Sequence, residues 1–257
     1  TVVERKNSAI EVIDPEVSSI LIKSLEKSGI KFIFGKEITE ISGEKVLAGS
    51  EEVASAKVIL VTTREVDLTA LKDVKLEVSD GNVVANEKMQ SSLKNVYVPG
   101  DVNGKKLLAH AAFKMGDIVA SEIVEGKSDK YNNNIIPRAI YTYPEIGSVG
   151  LTEEKGKKSY DVKVGKFNYG ANGRALAHGD SSGMVKIISD ARYGEILGAH
   201  IVGPRASELI NEVSVLMQSE VIVEEAIKMV FGHPTFSEAI YEAIADVEGV
   251  SVHLPKK

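Results

Sequence analysis

The chain has 257 residues, of which 43% are hydrophobic and 26% charged, the usual balance of a soluble globular protein. Its 31 Lys and Arg against 37 Asp and Glu give a net charge of −6, which argues against general nucleic-acid binding. The absence of cysteine excludes a disulfide framework, a zinc–thiolate site and a cysteine nucleophile within these residues. No apolar run reaches the roughly 18 residues that a membrane span needs, and no signal peptide opens the sequence. We expect a cytoplasmic protein without a membrane partner.

The first segment, residues 1–67, has the pattern of a parallel α/β unit. Asp14 and Pro15 are typical of a helix start, apolar residues follow at helical spacing, and Gly29 ends the helix. A strand before this helix and another after it predict a βαβ-like unit over residues 1–34. Lys57–Thr62 (KVILVT) has the composition of a strand buried on both faces. The predicted strands are Thr1–Glu4, Lys31–Phe34, Glu37–Ile41, one near Val46, and Lys57–Thr62.

Residues 68–134 and 135–257 form two further segments. The second predicts strands at Asn82–Ala85 and Asn95–Val98, a helix from about Leu107 to Val124 that ends at Gly126, and a polar linker at Lys127–Asn134. The third predicts strands followed by helices, which indicates an α+β domain with helices on an antiparallel sheet. Its predicted strands are Arg138–Tyr141, Asp161–Tyr169, Gly183–Asp190 and Glu195–Val202, and its predicted helices are Ala206–Gln218, Val223–Val230 and Thr235–Asp246.

The run Phe231–Glu238 (FGHPTFSE) carries the strongest chemical signal. Proline disfavours helical geometry at the residue before it, so we expect His233 in a loop just before a helix. Glu238 then falls in the first helical turn, where its carboxylate can fold back onto one imidazole nitrogen. Such a carboxylate fixes the tautomer and raises the basicity of the other nitrogen, as a general acid/base requires. The alternative is an ordinary capping box between Thr235 and Glu238, with His233 merely nearby.

Other polar residues carry weaker arguments. Glu4 ends a strand, where an acidic residue of a dinucleotide-binding sheet accepts hydrogen bonds from ribose hydroxyls; an ordinary exposed residue is the alternative. Asp101 follows a predicted strand and could present its carboxylate to a polyol, or lie solvated in a tight turn. His110 is typical of a helix residue. His178 and His200 have no ligand-like spacing, so no metal site is predicted.

Taken together, these segments resemble the C-terminal portion of the class I pyridine nucleotide–disulfide oxidoreductases, and most closely the dihydrolipoamide dehydrogenases. The resemblance covers almost the whole chain in the family's order. The matching stretches are Thr1–Glu4 (TVVE), Val58–Arg64 (VILVTTR), Asn95–Val102 (NVYVPGDV), Leu107–Ala111 (LLAHA), Ile136–Thr152 (IPRAIYTYPEIGSVGLT), Asn172–Ala177 (NGRALA), Ile196–Ile210 (ILGAHIVGPRASELI) and His233–Ala243 (HPTFSEAIYEA).

The resemblance implies a fold that is α/β and α+β. Residues 1–67 and 68–134 would be the C-terminal parts of an NAD-binding and an FAD-binding α/β domain, and residues 135–257 an α+β dimerisation (interface) domain. The implied enzyme reoxidises dihydrolipoamide, with electrons passing through a redox disulfide and FAD to NAD⁺. The resemblance also implies a homodimer that acts on a lipoyl-bearing protein or a small dithiol.

The resemblance assigns cofactor roles to five positions. Asp101 would bind the ribityl chain of FAD, and the backbone around Leu108, Ala109 and His110 would lie near the flavin ring. Glu4 would bind the ribose of NAD.

His233, oriented by Glu238, would be the acid/base at the redox disulfide of the other subunit. The chain departs from the family pattern at Thr63, where relatives usually have glycine, and at Val66, where they have proline. The family's glycine-rich turns and cysteine pair would precede residue 1. We therefore expect an incomplete portion of the enzyme that is inactive alone.

Two alternative functions remain open. One is an NADP-linked reductase similar to glutathione reductase; Glu4 disfavours it because a carboxylate repels a 2′-phosphate, although Arg5 and Lys6 weaken that argument. The other is a non-catalytic dimerisation module that keeps the interface domain and lacks the redox half.

Overall fold

A computed structural model of the chain describes residues 1–8, 10–54, 57–62 and 65–255. The chain forms two compact units: one combines Thr1–Val58 with Pro137–Lys257, and the other is Ile59–Ile136. The fold class predicted from the sequence, a combination of α/β and α+β architecture, is confirmed. Among the described residues, no helix combines the length and the apolar character needed to cross a membrane. The division into residues 1–67, 68–134 and 135–257 stays a prediction.

The N-terminal part of the first unit contains the predicted βαβ arrangement. Strands β1 (Val2–Glu4) and β2 (Phe32–Phe34) are parallel and flank helix α1 (Pro15–Lys27) in sequence. The helix starts as expected, because the Asp14 carboxylate accepts the N–H of Glu16. Three antiparallel strands follow, of which the sequence pattern does not predict the last: β3 (Ile38–Ser42), β4 (Lys45–Ala48) and β5 (Glu51–Ala54).

The prediction of a doubly buried strand at Lys57–Thr62 is wrong. The run has no strand geometry, and Ile59, Leu60 and Val61 are all exposed. An apolar strand is buried only where other strands and helices cover it. The parallel sheet formed by the described residues contains β1 and β2 alone, so the preference of this run for a sheet interior is not satisfied within them.

The second unit is built on one long helix. A two-stranded ribbon, β6 (Val78–Ser79) and β7 (Asn82–Val83), precedes helix α2 (Ala109–Glu125), which ends at a left-handed Gly126 as predicted. The predicted strands Asn82–Ala85 and Asn95–Val98 are reduced to β7 and to a single bridge between Gln90 and Tyr97. The buried residues of α2, Ala111, Met115 and Ile118, form one core with Met89 and Tyr131.

The C-terminal part of the first unit is a five-stranded antiparallel sheet covered by helices, as the α+β pattern predicts. The strand order is β10–β11–β12–β9–β8. The strands are β8 (Arg138–Ile140), β9 (Glu145–Gly150), β10 (Val162–Asn168), β11 (Met184–Asp190) and β12 (Ile196–Gly203). The helices are α3 (Glu153–Gly156), α4 (Gly173–His178), α5 (Ala206–Gln218), α6 (Val223–Ala226) and α7 (Glu238–Val247).

Strand β9 is the element of this sheet that the sequence pattern misses. It carries two glycines, which weaken a strand signal. Both are required by packing: a Cβ on Gly147 would lie 2.3 Å from the Ala206 carbonyl oxygen, and Gly150 has a φ of +75°. The close approach of α5 to the sheet therefore depends on Gly147, a residue type that weakens the strand pattern in the sequence.

A buried lysine joins the two parts of the first unit. The ammonium of Lys186, on β11, lies 2.8 Å from Asp14, 2.9 Å from Glu16 and 2.7 Å from Glu153. Hydrogen bonds from Lys157 and Lys186 lower the pKa of the Glu153 carboxyl to about 2. Burial lowers the pKa of the Lys186 ammonium, but the carboxylates outweigh it and raise that pKa overall. The lysine therefore stays charged and holds the start of α1 on the sheet.

His200, on β12, lies beside this cluster and has a structural role. Its Nδ1 accepts the N–H of Asp14 at 3.2 Å, and its Nε2 lies 3.1 Å from the carbonyl oxygen of Leu151. Burial lowers the pKa of His200 to about 4, so the ring is neutral at neutral pH. An apolar contact supports the same junction, between Ile13, Val17 and Leu21 on one side and Ile146, Met184 and Val202 on the other.

Replacing Lys186 with Met is expected to lower the free energy of unfolding by about 3–5 kcal/mol, because a buried carboxylate would lose its cation. Urea unfolding followed by circular dichroism measures this. The matched control is Lys163→Met, because Lys163 pairs with Glu248 where both side chains are exposed, and such a pair contributes less than about 1 kcal/mol. Equal losses in the two variants would contradict the importance given to Lys186.

Candidate active site

His233 lies in the loop that precedes α7, as predicted. Helix α7 begins at Glu238, three residues later than the predicted start at Thr235. The peptide bond between His233 and Pro234 is cis. The loop ends beside the first turn of the helix, with Glu238 within reach of the imidazole.

The structure brings His233 and Glu238 together. The imidazole Nδ1 lies 2.7 Å from Oε1 of Glu238, a distance typical of a charge-assisted hydrogen bond. The His233 side chain is 74% exposed, whereas that of Glu238 is 19% exposed. With the Nδ1 proton donated to the carboxylate, Nε2 of a neutral ring is the basic nitrogen. An exposed imidazole is thus hydrogen-bonded through Nδ1 to a fixed carboxylate, which is the arrangement of a general base.

Glu238 also performs half of the capping role that was the alternative interpretation. Its second oxygen, Oε2, accepts the N–H of Thr235 at 2.8 Å. The reciprocal bond of a capping box does not form, since the Thr235 hydroxyl donates to the carbonyl oxygen of Gly232 at 2.7 Å. The two interpretations are therefore compatible, because the carboxylate uses one oxygen for each.

The electrostatics of Glu238 keep it ionised. Burial raises the pKa of its carboxyl, but the hydrogen bonds from the Thr235 N–H and from His233 outweigh this effect. The pKa consequently lies below the ordinary value of a glutamate. An ionised carboxylate at Nδ1 can stabilise the imidazolium that forms when Nε2 accepts a proton.

The loop is held by residues whose role the sequence does not reveal. Asn172 is buried at the N-cap of α4, where its Oδ1 accepts the N–H of Ala175 at 2.9 Å. Its Nδ2 donates to the carbonyl oxygen of Thr235 at 3.1 Å. The ring of Phe236 packs edge-on against His178, with centroids 5.6 Å apart, and against the buried Tyr169. These contacts fix the part of the loop that follows Pro234.

Asn172 was detectable as a capping residue before Gly-Arg-Ala-Leu, but not as a partner of a loop 63 residues away in sequence. A second carboxylate–imidazole contact, between Glu242 and His253, also escapes the sequence pattern. Its signal is the spacing of four residues between Glu238 and Glu242, which places both on one helix face.

The four predicted FAD-binding positions lie in the second unit. Asp101 starts a short 3₁₀ turn after Gly100, which has a φ of +88° and would place a Cβ 3.6 Å from that of Ala112. This turn therefore lies against the first turn of α2. The helix begins with Leu108 at the N-cap, a residue without a side-chain acceptor, and Ala109 and His110 follow it, both exposed.

These features fit part of a flavin site. A carboxylate beside an uncapped helix start offers an acceptor for polyol hydroxyls and backbone N–H donors for an electron-rich ring edge. The sequence contains no Gly-x-Gly-x-x-Gly turn, the usual cradle for the pyrophosphate of a dinucleotide. The residues present fit the polyol and ring portions of FAD, and do not form a complete site.

Glu4 lies at the end of β1, as predicted, and its carboxylate accepts the N–H of Lys6 at 2.9 Å. Of the two positions that depart from the family pattern, Thr63 lies outside the described residues. No group of three or more His, Asp or Glu side chains suited to a metal ion occurs in the part of the chain that the structure describes.

Two family profiles match the chain. The first, described as pyridine nucleotide-disulphide oxidoreductase, matches residues 1–116. The second, the dimerisation domain of the same family, matches residues 136–244. Together they account for most of the sequence, in the order that the motifs predict.

Curated relatives of similar sequence are named dihydrolipoyl dehydrogenase. The chain is 35% identical to that of Rhizobium etli, over 97% of this chain and 54% of the relative. It is 32% identical to one from Bacillus subtilis, over 98% of this chain and 57% of the relative. The chain therefore spans little more than half the length of these relatives.

Solved structures support the fold. LpdA from Mycobacterium tuberculosis superposes with a TM-score of 0.88 at 20% identity, covering 96% of this chain and 56% of that one. The HOCl-induced flavoprotein disulfide reductase RclA from Escherichia coli, in its Cu(II) complex, gives 0.86 at 22% identity, covering 95% and 58%.

Replacing Asn172 with Ala is expected to lower the free energy of unfolding by about 1–3 kcal/mol, because a helix cap and a buried hydrogen bond are lost together. Hydrogen exchange of the amides in residues 232–236 should accelerate, since the Thr235 carbonyl loses its donor. Mass spectrometry of exchange and urea unfolding measure the two effects. Asn172→Ser keeps an acceptor for the cap, but its single short hydroxyl does not replace the Nδ2 group that donates to Thr235, so it should restore stability more than loop protection. Unchanged loop exchange in the alanine variant would contradict this role.

Proposed function

Because the chain belongs to the pyridine nucleotide-disulphide oxidoreductase family, we propose that it is part of a flavoenzyme that reoxidises dihydrolipoamide, passing electrons through a redox disulfide and FAD to NAD⁺. The observation that carries the proposal is the exposed His233 imidazole anchored at 2.7 Å on an ionised Glu238. Oxidation of a dithiol needs such a base. These residues contain no cysteine, so the redox disulfide comes from outside them.

His233 is proposed to receive a proton at Nε2. The incoming dithiol loses an S–H proton to this nitrogen, and the resulting thiolate attacks one sulfur of the redox disulfide. A mixed disulfide forms while the other sulfur leaves as a thiolate. Attack by the second thiol of the substrate then releases the cyclic disulfide product. Glu238 stabilises the imidazolium through Nδ1 and keeps Nε2 directed away from the helix.

The cofactor roles are proposals of the same kind. Asp101 would hold the ribityl hydroxyls of FAD, and the backbone of Leu108, Ala109 and His110 would face the edge of its ring. Bound FAD supplies the two-electron acceptor for the reduced disulfide. Glu4 would accept hydrogen bonds from the ribose hydroxyls of NAD.

The proposed enzyme is a cytoplasmic homodimer that acts on a lipoyl-bearing protein or a small dithiol. The match of residues 136–244 to a dimerisation domain supports association of two copies. Exposed apolar residues on this domain, among them Tyr141, Tyr143, Val215 and Val230, are available for such an interface. His233 would then serve the redox disulfide of the partner subunit. The cytoplasmic location rests on composition alone.

Replacing His233 with Gln is expected to slow dithiol oxidation by about 10²–10⁴-fold, the usual contribution of a general base. The assay requires an enzyme form that also contains the redox disulfide and FAD. Electron transfer from NADH to an artificial one-electron acceptor should largely survive, because it needs no thiol deprotonation. Glu238→Gln should be milder, and its pH–rate profile should move to lower pH because the imidazolium loses a neighbouring negative charge.

The melting temperature of each variant is the control. If the pair acted only as a cap for α7, both variants would lose stability and both activities in parallel. Equal loss of the two activities in His233→Gln would contradict the catalytic role.

The preference for NAD is tested through Glu4. We expect the ratio of kcat/KM for NAD⁺ to that for NADP⁺ to exceed one, and to fall in Glu4→Ala because the 2′-phosphate is no longer repelled. Glu11→Ala is the matched control, since it removes a nearby exposed carboxylate that pairs with Lys6. A ratio below one in the unmodified enzyme would favour the NADP-linked alternative.

A further inference from the structure

Helix α7 carries three carboxylates at four-residue spacing, Glu238, Glu242 and Asp246. Glu238 and Glu242 are four residues apart, so they lie one turn, or about 5–6 Å, from each other along the helix. The residues around Glu242 are small or apolar and buried, including Ala239, Ile240 and Ala243. A second acidic residue in such a helix is costly unless it has strong partners.

Glu242 has such partners, and all of them come from one short segment. Its side chain is 3% exposed, and its Oε1 lies 2.6 Å from Nδ1 of His253. Its Oε2 accepts the N–H of Val252 at 3.0 Å, the N–H of His253 at 3.2 Å and the hydroxyl of Ser251. These hydrogen bonds to the Glu242 carboxylate hold residues 251–253 against the helix.

The turn after α7 makes this clasp possible. Gly249, with a φ of +69°, lets the chain reverse at the helix end. The N–H of Val250 then donates to the carbonyl oxygen of Ala245 at 3.0 Å. Leu254 packs against the main apolar core of the unit. Residues 251–253 are therefore held from both sides.

The contact between His253 and Glu242 repeats the geometry of the contact between His233 and Glu238. In each pair an imidazole Nδ1 meets Oε1 of a glutamate on α7, at 2.7 Å for His233 and 2.6 Å for His253. In each pair the carboxylate is mostly buried and the imidazole is mostly exposed. The two carboxylates that anchor these imidazoles lie one helical turn apart on α7.

The pKa values of the two glutamates show that His253 acts electrostatically on both of them. Burial raises the pKa of the Glu242 carboxyl, but Ser251 and His253 outweigh it and the pKa lies below its ordinary value. The charge of His253 also contributes to the lowered pKa of Glu238. Three other acidic groups on or near α7 have their own partners: Asp246 accepts the N–H of Lys166, Glu212 on α5 accepts from Ser237, and Glu248 pairs with Lys163 of β10.

We propose that His253, clasped by Glu242, is a positioning residue of the His233–Glu238 site, whose charge sets how readily His233 takes up a proton. The inference rests on the proposed function only for its consequence in catalysis. A cation at position 253 disfavours a second cation on His233, whereas a neutral side chain there leaves the Glu242 charge uncompensated and favours it.

The test compares His253→Asn with His253→Lys in the 257-residue chain. The two variants place a neutral group and a permanent cation at the same exposed position. The chain has five histidines, so labelling at the imidazole Cε1 allows the titration of each ring to be followed by NMR. We expect the midpoint of the His233 titration to be lower in the Lys variant than in the Asn variant by roughly 0.3–1 pH unit.

His200 is the internal reference, because its pKa of about 4 reflects burial beside the Lys186 cluster. Lys163→Asn is the matched control. It removes one positive charge near the other end of α7, where Glu248 lies about 15 Å along the helix from Glu238. That distance exceeds the Debye length of about 8 Å at physiological salt, so the His233 midpoint should hardly move.

Equal His233 midpoints in the two His253 variants and in the unmodified chain would overturn the inference. Hydrogen exchange of the amides at positions 252 and 253 shows whether residues 251–253 stay bound to Glu242 in these variants. Equal midpoints contradict the inference in either case, because even release of the segment would then leave the His233 titration unchanged. The proposed function fails separately. If the midpoints differ but His233→Gln leaves dithiol oxidation intact, the electrostatic coupling stands and the catalytic role does not.

Discussion

The first unit depends on a single buried cation. Lys186 on β11 holds Asp14 and Glu16 at the start of α1 and Glu153 at the start of α3, all within 2.9 Å. Without it, the buried Asp14 carboxylate would lose its cation, whereas Glu16 would keep Lys166 and Glu153 would keep Lys157. The cluster therefore decides where α1 lies on the five-stranded sheet. Because ion pairs are directional, it specifies the register of that contact more narrowly than the apolar residues around it do.

Helix α7 also has carboxylates held by fixed partners, but here the partners are exposed imidazoles and not a buried cation. In both places a mostly buried carboxylate lies at or near a helix start and backbone N–H groups donate to it, which keeps it ionised. At Lys186 the cation is buried too, so the result is a permanent structural contact. At Glu238 and Glu242 the partner is an imidazole that reaches solvent. The pairing can then change with proton concentration, which is what separates a reactive site from a structural one.

The sequence predicts those features that depend on neighbouring residues. The βαβ order, the start of α1 at Asp14 and the loop position of His233 all follow from local geometry and were found where expected. The approach of Asn172 to Thr235 and the clasp of His253 depend on how distant segments fold back, which no local pattern contains. Strand β9 is missed for a related reason, since the close packing of α5 requires Gly147 and the backbone conformation requires Gly150, and glycine weakens a strand pattern. The apolar run at residues 57–62 shows the converse, because a strong strand preference has no effect without neighbours to pair with.

The discontinuity of the first unit has a kinetic consequence. Ile13, Val17 and Leu21 pack against Ile146, Met184 and Val202, so the apolar face of α1 is synthesised well before its partners. At about 5–20 residues per second, a ribosome needs on the order of ten seconds to reach β12 after α1 is complete. During that interval the nascent helix presents an uncovered apolar surface. The contact between α1 and the sheet is therefore completed only after translation has passed residue 202.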